Sequence, residues 1–173
     1  MSEMAPEYRQ MLTQMMESQA YRELAAAHMF GYGLRFVPEK WMRFMVWHIR
    51  EEAEHYEAVA KMYREFTGED VEPKTRERLS GKPVPFAESW MELAMAQFLY
   101  DRGGFWQLRE YEHSSWAPYR EVIGKIVSQE EGHQYHGQNI AVPLIREEKD
   151  RGSSREHRCS TPTSRLTVFA PRP

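Results

Sequence analysis

The sequence predicts an all-α protein, a four-helix bundle built from two helical hairpins that are joined by a long crossover. Helix-forming residues dominate, and β-branched residues are sparse until the last part of the chain. Four long segments carry apolar residues at helical spacing. Two of the three connections are short turns, whereas the polar stretch of residues 68–85 is long enough to cross a bundle.

The first two predicted helices form one hairpin. The first helix runs from Pro6 to the Gly31–Gly33 region, and the second begins at Pro38 and ends near Gly68. Proline is favoured in a first helical turn and glycine directly after a helix end. The predicted inner faces carry Leu12, Met16, Gln19 or Ala20, Ala27 and Phe30 on the first helix, and Trp41, Met45, His48, Val59, Met62 or Tyr63, and Phe66 on the second.

The crossover and the second hairpin follow. Residues 68–85 are polar and contain three prolines, so they cannot form one helix. The third helix is predicted from about Phe86 to Glu112. The fourth is predicted from near Pro118 to about Glu148, with a kink or a weakened end at Pro143. Their predicted inner faces carry Ala94, Phe98, Phe105, Leu108 and Tyr111, and Tyr119, Ile123, Ile126 and Ile140.

The charge distribution divides the chain into two regions. From Lys149 onward six basic residues stand against two acidic ones, whereas residues 1–148 carry 17 basic and 24 acidic residues. The last segment is rich in Ser, Thr, Pro and Arg and has no helical period, which is typical of disorder. We expect a bundle over residues 1–148 and a basic, disordered tail without assigned function over residues 149–173.

Several classes of protein are disfavoured by the composition. The net charge of −3 gives no sign of a nucleic-acid-binding surface, and no apolar run approaches the ~18 residues of a membrane span. The single Cys159 excludes an internal disulfide framework and fits a reducing compartment, and no signal-peptide pattern is present. We expect a cytoplasmic protein that binds neither nucleic acid nor a membrane.

The motif Glu-x-x-His occurs twice, as Glu52–His55 and as Glu130–His133. Residues i and i+3 lie on one face of a helix, so each pair can bind one ion. One such pair is common on charged helices, but both pairs here lie in predicted inner stripes, between apolar residues. An isolated buried carboxylate is costly unless a cation compensates its charge. The two motifs therefore predict a buried metal site.

The other two helices each offer a carboxylate on the inner stripe, Glu23 and Asp101. Glu52 follows Glu23 by 29 positions, and Glu130 follows Asp101 by the same number. Four carboxylates and two imidazoles that face inward from four helices are the ligand set of ferritin-like di-iron and di-manganese proteins. Mixed carboxylate and imidazole ligation suits iron or manganese. The predicted metal ligands are Glu23, Glu52, His55, Asp101, Glu130 and His133.

Neighbouring residues are rivals or supporting groups. Glu17 is a rival of Glu23 and Glu92 of Asp101, but the first leaves the stripe and the second breaks the equal spacing. We expect His48 and His136 to be hydrogen-bonded core or rim histidines, and four glutamates to be solvated or to support the ligands: Glu51, Glu54, Glu57 and Glu131. Gln97 and Tyr100 either orient ligands or pack helices. The pair Gly103–Gly104 either opens space beside the metals, forms a π-bulge or permits close helix contact.

At these residues the sequence resembles the phenylacetyl-CoA epoxidase (phenylacetate-catabolic) oxygenases, which are ferritin-like di-iron proteins. The resemblance covers about residues 7–148 and rests on four segments: Tyr21–Leu24, Arg50–His55, Leu99–Gly103 and Gln129–His133. Aspartate rather than glutamate at position 101 is shared with the catalytic subunit of that family. That subunit is considerably longer than the segment matched here.

The resemblance implies O2-dependent mono-oxygenation of an aromatic ring held as a coenzyme A thioester. It implies that the glutamates of the two motifs bridge or chelate two irons, that their histidines supply nitrogen ligands, and that Glu23 and Asp101 are terminal ligands. It also implies electrons from an external reductase and an oxygenase partner subunit or a homo-oligomer. No catalytic residue beyond the metal centre is identified from the sequence.

Two other functions would use the same positions. A ferritin-like ferroxidase, which handles iron or scavenges peroxide, needs the same six ligands and would form a cage that accumulates mineral. A non-catalytic oxygenase subunit would have lost ligands, and all six positions are filled here. The six ligands in two equally spaced units, together with the resemblance to the epoxidases, make a di-iron monooxygenase the leading interpretation.

Overall fold

Residues 4–81 and 86–159 are described by the computed structural model, with side chains through Lys149. In this part of the chain the fold is all α, which confirms the predicted class. The helices are α1 (Pro6–Gly33), α2 (Glu39–Thr67), the short α3 (Glu72–Gly81), α4 (Trp90–Tyr111) and α5 (Ala117–Cys159). Within the same residues, no helix is both long and apolar enough to cross a membrane.

The four long helices form two hairpins. Helices α1 and α2 pack along each other and are joined by the 3₁₀ turn Leu34–Phe36, and α4 packs along α5. The hairpins meet mainly through α2 and α5, and to a lesser extent through α1 and α4. The arrangement is compatible with a ferritin-like bundle.

Local hydrogen bonds set two of the helix ends. Gly68 ends α2 with a φ of 80°, a left-handed conformation that favours glycine, and its N–H donates to the Arg64 carbonyl. Ser89 caps α4, since its Oγ accepts from the backbone N–H of Glu92 at 3.1 Å. Helix α4 therefore begins at Trp90, later than the predicted start at Phe86.

The crossover contains a helix, α3, that was not predicted from the sequence. Pro73 lies in its first turn, where proline is tolerated. Lys74 Nζ donates to Glu17 Oε1 of α1 and to Tyr63 Oη of α2, each at 2.7 Å, and so attaches α3 to the first hairpin. Residues 68–71 lie outside any helix, so the described part of the crossover, residues 68–81, is not one helix, as expected, but it contains one of 10 residues.

Helix α5 extends past its predicted end near Glu148 and includes Pro143 in its interior. Residues 149–159, assigned from the sequence to the tail, are helical in the structure. The remainder of the predicted tail, residues 160–173, lies outside the described residues, so its disorder stays a prediction.

The core consists of two apolar clusters with a polar layer between them. One cluster includes Leu12, Met16, Val59, Phe66, Leu108, Tyr119 and Ile123, and the other includes Met29, Phe30, Met45 and Leu93. Most predicted inner-face residues are buried, but four are only half-buried: Ala27, Trp41, Phe98 and Tyr111. Gly137 brings α5 close to α4, because a Cβ there would lie 3.2 Å from the Cα of Phe98.

Candidate metal centre

A layer of buried polar side chains crosses the middle of the bundle. The structure brings all six predicted ligands into it, each at most 5% exposed: Glu23, Glu52, His55, Asp101, Glu130 and His133. It also places His48 there, fully buried on α2 one turn before Glu52. The residues that interrupt the apolar stripes of four helices therefore meet in one place.

The seven side chains form two groups, and within each group the potential ligand atoms lie within 4.8 Å of one another. The first group consists of Glu23, Glu52, His55 and Glu130. The second consists of His48, Asp101 and His133. The described residues thus include buried carboxylates and imidazoles that are positioned to bind a metal ion.

The distances in this cluster match the spacing of ligands around an ion. His55 Nδ1 lies 3.4 Å from Glu23 Oε2 and 3.3 Å from Glu130 Oε1. His133 Nδ1 lies 3.3 Å from Glu52 Oε1 and 3.5 Å from Glu130 Oε2. Metal–ligand bonds of about 2.1 Å place neighbouring donor atoms roughly 3.0–3.4 Å apart. Glu130 directs one oxygen to each histidine and so lies between the two groups.

Each of these two imidazoles is oriented by the opposite hairpin. His133 Nε2 donates to Glu51 Oε2 at 2.9 Å, and His55 Nε2 donates to Gln129 Oε1 at 3.1 Å. Gln129 Nε2 donates in turn to Glu51 Oε1 at 2.8 Å. With Nε2 engaged in this way, Nδ1 of both histidines faces the cluster. Hydrogen bonds of this kind set the tautomer and orientation of metal-binding histidines.

Unsatisfied atoms test whether the cluster suits a metal ion. Three of its buried atoms have no hydrogen-bond partner: His55 Nδ1, His133 Nδ1 and Asp101 Oδ2. The two Nδ1 atoms face only carboxylate oxygens, at 3.3–3.5 Å, and an unpaired buried atom such as Asp101 Oδ2 costs about 1–3 kcal/mol, so the cluster needs an explanation. A divalent cation supplies the missing partner to nitrogen and carboxylate oxygen alike. The residues present therefore fit bound metal.

Burial, repulsion among the carboxylates, and attraction between carboxylates and imidazoles shift the pKa values of the cluster. Burial raises the pKa of Glu23 to about 7 and also raises the pKa of Glu52. Burial acts to lower the pKa of His55 and His133, but adjacent carboxylates outweigh it and raise these values to about 10 and about 11. The two histidines lower the pKa of Glu130 to about 2 against the effect of burial. A metal ion must displace these protons, so its binding depends on pH.

The rival residues lie outside the cluster. Glu17 binds Tyr63 and Lys74, and Glu92 belongs to the N-terminal cap of α4. The ring of His136 packs against Phe44 at a centroid distance of 4.7 Å. Three of the four neighbouring glutamates are exposed: Glu54, Glu57 and Glu131. The fourth, Glu51, supports an imidazole.

The part played by Gln129 was not predicted from the sequence, although a signal existed. Glu51 and Gln129 directly precede the glutamates of the two Glu-x-x-His motifs, so they occupy equivalent positions in the two hairpins. Gln19 and Gln97 form a second equivalent pair. Gln19 Nε2 donates to Glu23 Oε1 at 3.2 Å, and the Gln97 amide lies 3.2 Å from His48 Nδ1. Gln97 thus orients a cluster residue.

A cavity of about 520 Å³ lies between α1 and α4 and reaches the carboxylates of the cluster. Apolar side chains such as Ala26, Met29 and Leu99 dominate its walls. Gly103 and Gly104 also line it, and a Cβ at either position would meet no other atom within 4 Å. Both belong to a continuous α-helix. They open space beside the cluster, so the alternatives of a π-bulge and of close helix contact are wrong.

Comparison of the chain with protein-family models and with curated proteins finds no match. The resemblance to the epoxidase family therefore stays an expectation drawn from the residue pattern. What the structure establishes is an all-helical bundle with buried carboxylates and histidines positioned to bind a metal ion.

Proposed function

We propose that the protein is an O2-dependent monooxygenase whose bundle holds two iron ions. The single observation that carries this proposal is that an apolar cavity ends on the carboxylates of the buried cluster. One ion would be held by Glu23, Glu52, His55 and Glu130. The other would be held by Asp101 and His133, together with Glu52 and Glu130, which lie beside both histidines. When bound, a pair of ferrous ions supplies the electrons and open coordination positions that activate O2.

The chain's own residues divide the work between two sides of the cluster. On the side of α2 and α5, Glu51 and Gln129 hold the imidazoles by their Nε2 atoms. On the side of α1 and α4, the carboxylates face the cavity, whose walls are mainly apolar. A substrate in the cavity would therefore approach the ions from the carboxylate side.

The cavity and the residue pattern together support an aromatic acyl substrate. A volume of about 520 Å³ lies within the range of roughly 300–1,000 Å³ that is typical of small-molecule sites. Apolar walls suit an aromatic ring, and the nucleotide of a coenzyme A thioester would extend beyond the mouth of the cavity. The resemblance of four segments to the phenylacetyl-CoA epoxidases supports the same substrate class.

Mono-oxygenation places one atom of O2 in the substrate and releases the other as water. Each turnover takes up two electrons and two protons, so the proposal includes an external reductase. The partner subunit or homo-oligomer expected from the resemblance stays a prediction.

The test begins with anaerobic reconstitution with Fe(II), followed by metal analysis and Mössbauer spectroscopy before and after exposure to O2. We expect two coupled irons per chain and, with a chemical or enzymatic reductant, an aromatic acid or acyl-CoA product that carries label from ¹⁸O2. Iron that accumulates as mineral would instead establish a ferroxidase. Reduced, iron-loaded protein that oxidises no member of an aromatic acid and acyl-CoA panel would overturn the monooxygenase.

A cavity-filling variant tests the substrate route. Gly104→Leu would place a side chain in the cavity, so we expect turnover to fall at least tenfold with the iron content unchanged. Gly124→Leu is the matched control, because a Cβ on Gly124 also meets open space but Gly124 does not line this cavity. Equal turnover by the two variants would contradict the assignment of the cavity.

A further inference from the structure

The two hairpins supply nearly equivalent polar residues at positions 78 apart. Gln19, Glu52 and His55 correspond in this way to identical residue types at Gln97, Glu130 and His133. Such a repeat on its own would give two metal sites with matching ligands.

The repeat is broken on the side of the second group. Asp101 stands where the first hairpin has Glu23, so its carboxylate is one methylene shorter. His48 has no polar counterpart, since the equivalent position holds Ile126, an apolar core residue that is 2% exposed. Both differences fall next to His133, because His48 and Asp101 belong to the same group.

His48 is placed to reach an ion in that group. Its Nε2 lies 2.8 Å from Glu52 Oε1 and 3.8 Å from Asp101 Oδ2. Its ring centroid is 3.9 Å from that of His133, and the side chain is 0% exposed. Two donors bound to one ion at about 2.1 Å each cannot be more than about 4.2 Å apart, and these distances respect that limit.

Two unpaired atoms beside His48 bear on whether its Nε2 is a ligand. Asp101 Oδ2 and Gln97 Oε1 are buried and have no hydrogen-bond partner. If the Gln97 amide is turned over, Oε1 accepts from a protonated Nδ1 of His48 and the Nε2 lone pair is left free, at the cost of the contact that the Gln97 amide otherwise makes with the Asp101 carboxylate. An ion bound by that lone pair would also pair with Asp101 Oδ2.

We infer that His48 is a seventh metal ligand, so that one ion has a single imidazole and the other has two. The inference rests on the proposed two-metal function and deepens it. The shorter side chain of Asp101 leaves room for the His48 imidazole, because a glutamate at position 101 would extend into the coordination position that this imidazole takes. The competing role is a hydrogen-bond donor to Glu52 that never contacts the ion.

The experiment counts ligated imidazoles directly. The protein is loaded with Co(II), its histidine rings are labelled with ¹⁵N, and contact-shifted ring N–H signals are counted by proton NMR. We expect three signals in the wild-type protein: His55 Nε2–H, His133 Nε2–H and His48 Nδ1–H. His48→Gln should remove one signal and weaken the binding of one Co(II) at least tenfold, although it retains a hydrogen-bond donor near Glu52.

The controls separate this inference from the proposed function. His136→Gln, which removes an imidazole outside the cluster, should retain three signals and both affinities. Two signals in wild-type protein that binds two Co(II) would overturn the role of His48 and leave the two-metal site intact. Fewer than two bound Co(II) in the wild type would overturn both. The wild-type count decides the question even if the His48→Gln variant does not fold.

Discussion

Replacing Glu51 with glutamine is expected to weaken metal binding although Glu51 is not one of the predicted ligands. Glu51 is 5% exposed and accepts two hydrogen bonds, from His133 Nε2 at 2.9 Å and from Gln129 Nε2 at 2.8 Å. The amide of Glu51→Gln has one acceptor oxygen. If that oxygen still accepts from His133, the new NH2 group faces the NH2 group of Gln129, and one bond is lost.

The size of the effect follows from these contacts. A hydrogen bond to a charged group contributes about 1.5–3 kcal/mol, against about 0.5–1.5 kcal/mol between neutral groups. The substitution therefore removes roughly 1–2 kcal/mol of support for His133, and 1.4 kcal/mol corresponds to a factor of ten in affinity. We expect at least one ion to bind about 10-fold more weakly, within the range of roughly 10–100-fold that is typical of groups behind metal ligands.

The assay is calorimetric titration with Co(II) or anaerobic Fe(II), with Glu54→Gln as the matched control. Glu54 lies on the same helix, but it is exposed and pairs with Arg50 at 3.2 Å, so its loss should leave metal affinity unchanged. The double variant Glu51→Gln, Gln129→Glu exchanges the carboxylate and the amide and allows all three hydrogen bonds to form again. It should regain most of the affinity. Equal affinities for Glu51→Gln and Glu54→Gln would refute the reasoning.

Two further predictions concern stability. Without metal, the raised pKa of Glu23 (about 7) contributes stability that is fully present below pH ~4.5, and the raised pKa of His55 (about 10) contributes stability that is fully present below pH ~6.5. Each contribution is lost as the pH rises through the raised pKa. The thermal midpoint measured in chelator should therefore decrease as the pH is raised from 5 to 9, and the rise in midpoint on adding Mn(II) should become larger over the same range. If the midpoint of Glu23→Gln depends on pH as strongly as that of the wild type, the part assigned to Glu23 is contradicted. Gly137→Ala should destabilise the fold by about 1–3 kcal/mol in urea, because the new Cβ would press on the backbone of α4 at 3.2 Å. Gly124→Ala, which meets open space, should instead stabilise it by up to about 1 kcal/mol, and equal effects would disprove the close contact.

The helical class and the buried polar layer could be predicted because both depend on local periodicity. An apolar residue every three or four positions identifies the inner face of a helix, and a carboxylate on that face stands out against it. Glu23 and Asp101 were found in this way, and the equal spacing in the two hairpins supported the choice. All six predicted residues lie in the cluster. Their roles as ligands stay predictions.

The parts that were missed depend on weak local signals. Helix α3 has a single buried residue, Thr75, so no apolar stripe marks it. The C-terminal part of α5, from residue 149 to Cys159, is polar and likewise gives no periodic pattern. Four residues assigned to inner faces are half-buried, because the rotation of a helix about its axis is set by its neighbours and not by its own period.

By itself, the sequence determined the four long helices, most of the residues on their inner faces, and which ionisable residues interrupt those faces. Only the tertiary structure decided that Glu51 of one hairpin holds His133 of the other, that His48 joins Asp101, and that the cavity opens between α1 and α4. The physical reason is the range of the interactions. Helical period is set by hydrogen bonds four residues apart, whereas the contact of Glu51 with His133 spans 82 residues and depends on how two hairpins are rotated and aligned.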